Sequence, residues 1–386
     1  MTGRRAYLDH AATTPIHPEA REAMEPYLAG EFGNPSGGHR ESRRARRAVD
    51  DARESVAARF GADLGEVVFT SGGTEADNLA VTGGWHAVAA GRSSPPAIVC
   101  SAIEHHAVLE TCRVLARRTG AELREVPADR CGQVDVDAWE EACTGEVGLV
   151  TVMAVNNEIG TVQPLDRLAE LARAGSPGAV LHTDAVQAAP WLEVSRLTRA
   201  FDLVSLSAHK FGGPQGVGAL VVRQGTGLVA QATGGGQERE RRSGTQNVAG
   251  IVAMAAALAR AQEARAGENT RVGSLRDRLA QGILAGIPGS AWTGAGHAVP
   301  GFCHLRFAGV ESEALVLLLD DAGVAVSAGA ACSSGAVEAS HVLLGMGFDR
   351  AAATSGIRCS LGWTTTDQDI DLALSVVPAL VAKVRD

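Results

Sequence analysis

Short apolar runs alternate with amphipathic stretches along the chain from about residue 60 onward. Runs with the length and composition of buried strands occupy residues 66–70, 97–100, 147–155, 180–183, 203–207 and 217–222. Stretches with helical spacing of apolar residues follow from Thr74 and over residues 106–118 and 165–173. Strands that alternate with helices in this way are typical of a mostly parallel sheet covered by helices. The pattern predicts an α/β fold for this part of the chain.

The pattern changes towards the end of the chain, after a long Ala-rich helix that is predicted from Asn247 to about Ala264. The shorter strands and helices predicted beyond it occupy residues 302–307, 311–321, 324–327 and 356–360, and a final helix follows a Thr366 N-cap. We therefore expect a large α/β domain of residues 16–259 and a smaller α+β domain formed by residues 1–15 and 260–386.

Composition narrows the class of protein. The 386 residues are 45% hydrophobic and 20% charged, which suits a large folded core. A net charge of −9 gives no reason to expect nucleic acid as the main ligand. The most apolar stretch, residues 251–258, is too short to cross a bilayer. Asp9 and His10 interrupt the start before a signal-peptide core could form, so we expect a cytoplasmic protein without a membrane contact.

The seven cysteines form no Cys-x-x-Cys pair, so neither a disulfide framework nor a metal site is expected. Cys332 differs from the others because it lies in the run Ala-Gly-Ala-Ala-Cys-Ser-Ser-Gly. Small residues of this kind do not pack a rigid core, and a partly exposed polar loop suits a reactive thiolate. From the residues alone, Cys332 is either a nucleophile or a surface cysteine without a role.

Two strand ends carry residues with the chemistry of a cofactor site. Gly73 and Thr74 open a helix directly after a predicted strand, a turn that binds phosphate or serves as a plain connection. Lys210 follows another predicted strand within Ser-Ala-His-Lys. A buried lysine has a lowered pKa and is a nucleophile towards aldehydes, whereas a lysine that reaches the surface has no such role.

Two further polar residues lie at strand ends. Asp184 follows the predicted strand 180–183, where it either pairs with a pyridinium nitrogen or caps a helix. His105 follows the predicted strand 97–100, where it either stacks on a cofactor ring or is an ordinary hydrogen-bonded histidine. Each signal is modest alone, but ligands of open α/β sheets bind at these strand ends.

The order of these residues along the chain is that of fold-type I enzymes, which use pyridoxal phosphate (PLP). The longer motifs are YLDHAATTP (7–15), SGGTEADNLA (71–80), EHHAV (104–108), VNNEIGT (155–161), HTDAVQ (182–187), SAHKFGGPQGVGAL (207–220), RRSGTQN (241–247) and SAGAACSSG (327–335). In combination they resemble the cysteine desulfurases of the NifS/IscS-like branch of the class V aminotransferase family. The resemblance extends from about residue 6 to the C-terminal helix, and it implies the PLP-dependent transferase fold of type I.

The resemblance also implies roles for individual residues. The residues that it assigns to the cofactor are Gly73, Thr74, His105, Asp184, Gln187, Ser207, His209, Lys210 and Thr245. Lys210 would hold PLP as a Schiff base, Asp184 would pair with the ring nitrogen, Gln187 would contact the ring hydroxyl, and His105 would stack on the ring and help to move protons. The remaining residues would bind the phosphate. Thr245 would do so in the other subunit, so a homodimer is implied.

The implied substrate is L-cysteine, with Asn157 and Arg358 binding its carboxylate. The planar guanidinium of arginine suits a carboxylate because it can donate two parallel hydrogen bonds. Cys332 would attack the substrate sulfur, leaving L-alanine and a Cys332 persulfide that passes to an acceptor by thiol exchange. The acceptor stays open among an iron–sulfur scaffold, a tRNA-thiolation enzyme and DNA sulfur-modification machinery.

Two other functions stay open at this point. Another class V enzyme, such as an aminotransferase, would not need the Cys332 segment, and a selenocysteine lyase is a further possibility. A binding protein on a decayed fold would not need Lys210, Asp184 and His105 together. The basic run between Arg40 and Arg47 is interpreted as a solvated helix face, with contact to an acidic acceptor protein or to DNA through a partner as the alternative.

Overall fold

Strands and helices alternate along the computed structural model, which describes residues 4–329 and 339–385. The strands are β1 (Ala6–Tyr7), β2 (Val67–Thr70), β3 (Ala97–Ser101), β4 (Leu123–Val126), β5 (Val147–Thr151), β6 (Val180–Asp184), β7 (Leu203–Ser207), β8 (Gly218–Val222), β9 (Ser290–Thr293), β10 (Phe302–Phe307), β11 (Val324–Ala325), β12 (Ser327–Ala328) and β13 (Gly356–Ser360). The helices are α1 (Pro18–Leu28), α2 (Arg40–Phe60), α3 (Gly73–Asn78), α4 (Gly84–Ala89), α5 (His106–Thr119), α6 (Val136–Ala142), α7 (Leu165–Gly175), α8 (Val194–Leu197), α9 (Val248–Gly286), α10 (Ser312–Asp321), α11 (His341–Gly345), α12 (Arg350–Ala353) and α13 (Asp367–Arg385).

The large central sheet has the strand order β2-β8-β7-β6-β5-β3-β4 in the described residues. Only β8 runs antiparallel to its neighbours there, so the sheet is mostly parallel, as the sequence predicts. Strands β3, β5, β6 and β7 are buried over their whole length because helices cover both faces. This explains their nearly continuous apolar sequence. The carboxyl ends of β6 and β7, at Asp184 and Ser207, lie at the same edge of the sheet.

A second, antiparallel sheet has the order β12-β13-β10-β9, and β1 pairs with β11 beside it. The fold class expected from the sequence, an α/β fold of PLP-dependent transferases with a smaller α+β part, is thereby confirmed. The predicted strand 324–327 divides between β11 and β12, because the chain changes from one sheet to the other at Val326. The domain boundary near residue 260 stays a prediction.

The long helix α9 continues 22 residues beyond the predicted end at Ala264, to Gly286. Its first part packs on α1 and α2, and its second part packs on α13, β9 and β10. Val272, Leu275, Leu279 and Ile283 keep a helical spacing and are buried. The polar residues between the two apolar parts conceal this continuity in the sequence. Within the described residues, no helix combines the length and hydrophobicity needed to cross a membrane.

A buried ion pair fixes the loop that precedes α9. Three successive residues, 238–240, have positive φ angles of 48°, 57° and 65°, which is unusual for residues other than glycine. The carboxylate of Glu238 accepts hydrogen bonds from both terminal nitrogens of Arg53, from the Phe69 backbone N–H in β2, and from Gln246 Nε2. The loop is therefore held against both α2 and β2.

We predict that Glu238→Gln lowers the free energy of unfolding by about 3 kcal/mol or more, since it leaves the buried Arg53 without a counter-charge. Urea denaturation measures this change. Glu31→Gln is the control, because the Glu31–Arg44 pair is exposed and its loss should change stability by less than about 1 kcal/mol. Equal losses in the two variants would contradict the prediction.

Candidate active site

A cavity of about 340 Å³ lies at the carboxyl ends of the central strands, beside the smaller sheet. The predicted site residues that line it are Gly73, Thr74, His105, Asn157, Asp184, Gln187, Ser207, His209, Lys210 and Arg358. They come from distant parts of the sequence and from both sheets. The fold thus brings together in one chain nearly all of the residues that the sequence motifs nominate.

Lys210 ends a short 3₁₀ turn, Ala208–Lys210, that directly follows β7. A Cβ added at Gly213 would lie 2.8 Å from the Cβ of Ala208, the first residue of this turn. The chain therefore needs glycine where it folds back. Lys210 Nζ donates hydrogen bonds to the carbonyl oxygens of Ala11 (2.7 Å) and Ala12 (2.8 Å). The amine is therefore held at the cavity wall by neutral acceptors.

Asp184 ends β6 and is 6% exposed. Its Oδ1 accepts a hydrogen bond of 2.8 Å from the backbone N–H of Val186. Burial raises the pKa of this carboxyl to about 6, against the opposing effects of the Val186 hydrogen bond and the Lys210 charge. A cation near Asp184 would lower its pKa below this raised value and keep the carboxylate ionised. Asp184 is accordingly suited to a protonated ring nitrogen.

His105 caps the N-terminus of α5, where its Nδ1 accepts a hydrogen bond of 3.1 Å from the Ala107 N–H. Burial, and next the charge of Lys210, lower the pKa of His105 to about 4. Its imidazole is therefore neutral at physiological pH, as a stacking partner for an electron-poor ring should be. His209 is similar: burial lowers its pKa to about 4, and its Nδ1 lies 3.2 Å from Thr13 Oγ1.

The glycine at the start of α3 is closely packed. A Cβ at Gly73 would lie 3.1 Å from Val186 Cγ2 and 3.2 Å from Ser207 Cβ, so a larger residue would displace its neighbours. Thr74 is the second residue of α3 and lines the cavity with Ser207. Backbone N–H groups at the start of a helix and hydroxyl groups beside them favour an anion. This end of the cavity suits a phosphate.

Arg358 enters the cavity from the smaller sheet, on β13. Its Nη1 donates to the backbone oxygen of Asn157 and its Nη2 to Asp9 Oδ1, both at 2.8 Å. Two buried atoms here have no hydrogen-bond partner: Arg358 Nε and Asn157 Oδ1. Buried polar atoms are normally paired, so these two indicate where a polar ligand binds.

Sequence reasoning missed two acidic residues of the site. Asp9 is the ion-pair partner of Arg358. Asp77 lines the cavity, is 2% exposed, and has an unpaired Oδ1 that lies 3.7 Å from His182 Nε2. Burial, and next the Asp184 charge, raise the pKa of Asp77 well above its usual value. Its spacing of three residues from Thr74 on α3 is the signal that could have revealed it.

A third buried acid, Glu104, supports the turn that carries His105. Its Oε1 accepts hydrogen bonds from Ser101 Oγ and from the Met153 N–H, and the residue is fully buried. Burial raises the pKa of Glu104 to about 8. The side chain therefore serves as a neutral hydrogen-bonding group that joins β3 to the segment after β5.

Two predicted site residues are not part of the cavity as described. Thr245 is exposed and does not line it. Cys332 lies outside the described residues, although Gly329, three positions earlier in the chain, lines the cavity. The roles expected for these two residues therefore remain predictions.

The residues present fit PLP. The Lys210 amine can react with the aldehyde of PLP, and the Asp184 carboxyl can pair with its ring nitrogen. The neutral His105 imidazole suits the ring face, and the glycine and hydroxyl groups at the start of α3 suit the phosphate. The unpaired Arg358 Nε–H can donate a hydrogen bond to the carboxylate of a substrate, and the unpaired Asn157 Oδ1 can accept one from an N–H or O–H group of a ligand. Fold and site together define a fold-type I PLP enzyme.

Comparison with known proteins identifies the family. Residues 6–373 match the family described as Aminotransferase class-V, and the chain belongs to it. A cysteine desulfurase from Cereibacter sphaeroides is 44% identical over 383 residues, covering 99% of this chain and 97% of the relative. The resemblance to NifS/IscS-like proteins, the enzyme class and PLP as the cofactor are thereby confirmed.

Solved structures agree with this assignment. A NifS-like protein superposes with a TM-score of 0.90 at 32% identity, over 98% of this chain and all of that chain (100%). SspA in complex with cysteine superposes with a TM-score of 0.80 at 30% identity, over 92% of this chain and 98% of that chain. The architecture is therefore shared over nearly the whole length.

We predict that Glu104→Gln flattens the pH dependence of the free energy of unfolding. The folded protein keeps a proton on Glu104 up to its pKa of about 8, whereas the unfolded chain releases it near 4.5. The stability that the proton on Glu104 contributes is fully present below about pH 4.5 and is lost as the pH rises through about 8. Between these values the free energy of unfolding falls by at most about 1.4 kcal/mol per pH unit. Urea denaturation at several pH values measures the slope, and parallel profiles for wild type and variant would contradict the prediction.

Proposed function

We propose that this chain is a PLP-dependent cysteine desulfurase that converts L-cysteine to L-alanine and passes the sulfur to an acceptor through a persulfide on Cys332. The observation that carries the proposal is the single cavity that joins Lys210, Asp184 and His105 to the carboxylate-binding edge of Arg358. The name of the Cereibacter relative and the cysteine bound to SspA support L-cysteine as the substrate.

Each residue of the cavity has a task in this proposal. The residues that would hold PLP are Gly73, Thr74, His105, Asp184, Gln187, Ser207, His209 and Lys210. When bound, the cofactor supplies an electron-withdrawing ring that makes the Cα proton of an attached amino acid acidic. Asp184 would stabilise a positive charge at the ring nitrogen, and the neutral His105 would pack on the ring.

Substrate binding and proton transfer follow from the side chains around the ring. Arg358 and Asn157 bind the carboxylate of L-cysteine and so fix the orientation of its Cα–H bond. The Lys210 amine, once freed from the cofactor, accepts the Cα proton because it lies at the same cavity wall. His105, neutral and adjacent, can take or return a proton during the reaction.

Cys332 takes the sulfur in the next step. Its thiolate attacks the substrate sulfur, so an S–S bond forms and the Cβ–S bond breaks. The electron pair of the broken bond stays with Cβ, which takes up a proton and becomes the methyl group of L-alanine. Gly329 supports this assignment, since it brings the described chain to the cavity three residues before Cys332.

A homodimer and a cytoplasmic location complete the proposal. Thr245 supports the homodimer because it is exposed and lies apart from the cavity of its own chain, as expected of a residue that contacts the phosphate of a partner subunit. The acceptor of the persulfide sulfur is an iron–sulfur scaffold, a tRNA-thiolation enzyme or DNA sulfur-modification machinery. Labelled sulfur traced from L-cysteine to a co-purified protein identifies which.

We predict that Cys332→Ser lowers sulfide and alanine formation from L-cysteine by at least about 100-fold, because the step that breaks the Cβ–S bond loses its nucleophile. The absorbance of the Lys210 Schiff base, at roughly 420 nm, should be unchanged. Cys131→Ser, at a cysteine that is partly exposed in the structure, is the control and should retain activity. Sulfide release by the Cys332→Ser variant at the wild-type rate would refute the desulfurase assignment.

We predict that Lys210→Ala abolishes this absorbance together with alanine formation, because no other amine lines the described cavity. The variant should keep the fold, since Lys210 is a partly exposed residue at the cavity wall. Far-ultraviolet circular dichroism checks the fold, and the absorption spectrum checks the cofactor linkage. A wild-type spectrum in this variant would place the linkage on another lysine.

A further inference from the structure

Arg358 is bound to an acidic residue that the sequence motifs did not assign to the site. Asp9 Oδ1 accepts a hydrogen bond of 2.8 Å from Arg358 Nη2. The guanidinium side chain is 6% exposed and the Asp9 side chain 20%, so the pair is largely shielded from water. In the described part of the chain, Asp9 is the one carboxylate that forms an ion pair with Arg358.

The backbone holds Asp9 at a fixed position relative to β13. The residues on both sides of Asp9 are hydrogen-bonded to Ser360, through the Leu8 oxygen at 2.7 Å and the His10 N–H at 3.1 Å. Tyr7 Oη donates to the Asp9 backbone oxygen at 3.1 Å. Because Arg358 lies only two residues before Ser360, the carboxylate and the guanidinium are anchored to the same strand.

The hydrogen bonds of Arg358 leave room for a ligand. A guanidinium has five N–H donors. Asn157 O uses one on Nη1, Asp9 uses one on Nη2, and Nε has no partner. Three donors therefore remain, and a bidentate carboxylate needs two. Asp9 fixes the plane of the guanidinium without closing the edge that a carboxylate would bind.

The charge of Asp9 has a second effect. In the empty site, Asp9 supplies the anion that a buried guanidinium requires. When an amino-acid carboxylate binds, Arg358 lies between two negative charges, and these charges repel each other. Asp9 thus favours the correct orientation of a carboxylate while it limits how tightly that carboxylate is held.

We propose that Asp9 is a positioning residue that orients Arg358 and limits the affinity of the site for amino-acid carboxylates, so that L-alanine leaves after each turnover. This inference rests on the proposed function, because it takes Arg358 as the group that binds the substrate carboxylate. It concerns the product as much as the substrate, since both carry the same carboxylate.

The test compares two probes of the holoenzyme, L-alanine and L-alaninamide, which differ in the carboxylate. Spectral titration gives Kd for each, and the ratio Kd(alaninamide)/Kd(alanine) isolates the carboxylate contribution from changes elsewhere in the site. Asp9→Asn keeps an oxygen acceptor for Arg358 Nη2 and removes the charge. We expect the ratio to rise by about three- to tenfold in this variant, and KM for L-cysteine to fall, because the repulsion between carboxylates is gone.

Four further variants make the outcome decisive. Asp9→Glu keeps the charge and should keep the wild-type ratio, whereas Asp9→Ala frees the guanidinium plane and should give a smaller rise than Asp9→Asn. If Asp9→Asn does not fold, Asp9→Ser removes the same charge and takes its place. Arg358→Gln should reduce the ratio to about one, since it removes the guanidinium.

Each result has one meaning. A ratio that is unchanged in Arg358→Gln would refute Arg358 as the carboxylate ligand and, with it, that part of the proposed function. A ratio that is lost in Arg358→Gln but unchanged or lowered in Asp9→Asn would refute the role of Asp9 alone. A rise in Asp9→Asn together with the wild-type ratio in Asp9→Glu supports the proposal.

Discussion

Burial of carboxyl groups at the carboxyl ends of the central strands is the constraint on which the site depends. Asp77, Glu104 and Asp184 are removed from water within one region, and burial raises the pKa of each. Neighbouring carboxyl groups cannot all be ionised in a region that is shielded from water, because their negative charges repel one another. The pKa of Asp184, about 6, is lower than that of Glu104, about 8, because a backbone N–H and Lys210 favour the ionised form of Asp184. The negative charge is therefore concentrated where a ring nitrogen would need it.

The two sheets contribute different residues to the cavity. The central sheet supplies the lysine, the aspartate, the histidine and the glycine turn, and the smaller sheet supplies Arg358. Helix α9 packs against elements on both sides and so fixes their relative position. Cofactor chemistry and carboxylate recognition consequently meet in a space of about 340 Å³, although their residues belong to different layers.

Strongly apolar elements were predictable from the sequence, and polar ones were not. The strands over residues 203–207, 302–307 and 356–360 have the predicted bounds because their burial is nearly complete. Strand β4 was missed, since it is half-exposed at an edge and carries Arg and Glu. In the site, the residues that lie within the motifs were predictable because those motifs resemble the motifs of a known family. Asp9 was missed because its ion pair with Arg358 joins distant parts of the chain, and Asp77 because its helical spacing from Thr74 was not recognised as a signal.

The pairing of β1 has a consequence for the order in which the chain acquires its structure. Ala6 pairs with Val324, and Asp9 bridges to Ser360, so the two partners are separated by more than 300 residues. Residues 73–210, which form the cofactor half of the cavity, leave the ribosome long before β13 does. During synthesis the cofactor half can therefore fold first, and the carboxylate-binding half is completed only when almost the whole chain has emerged.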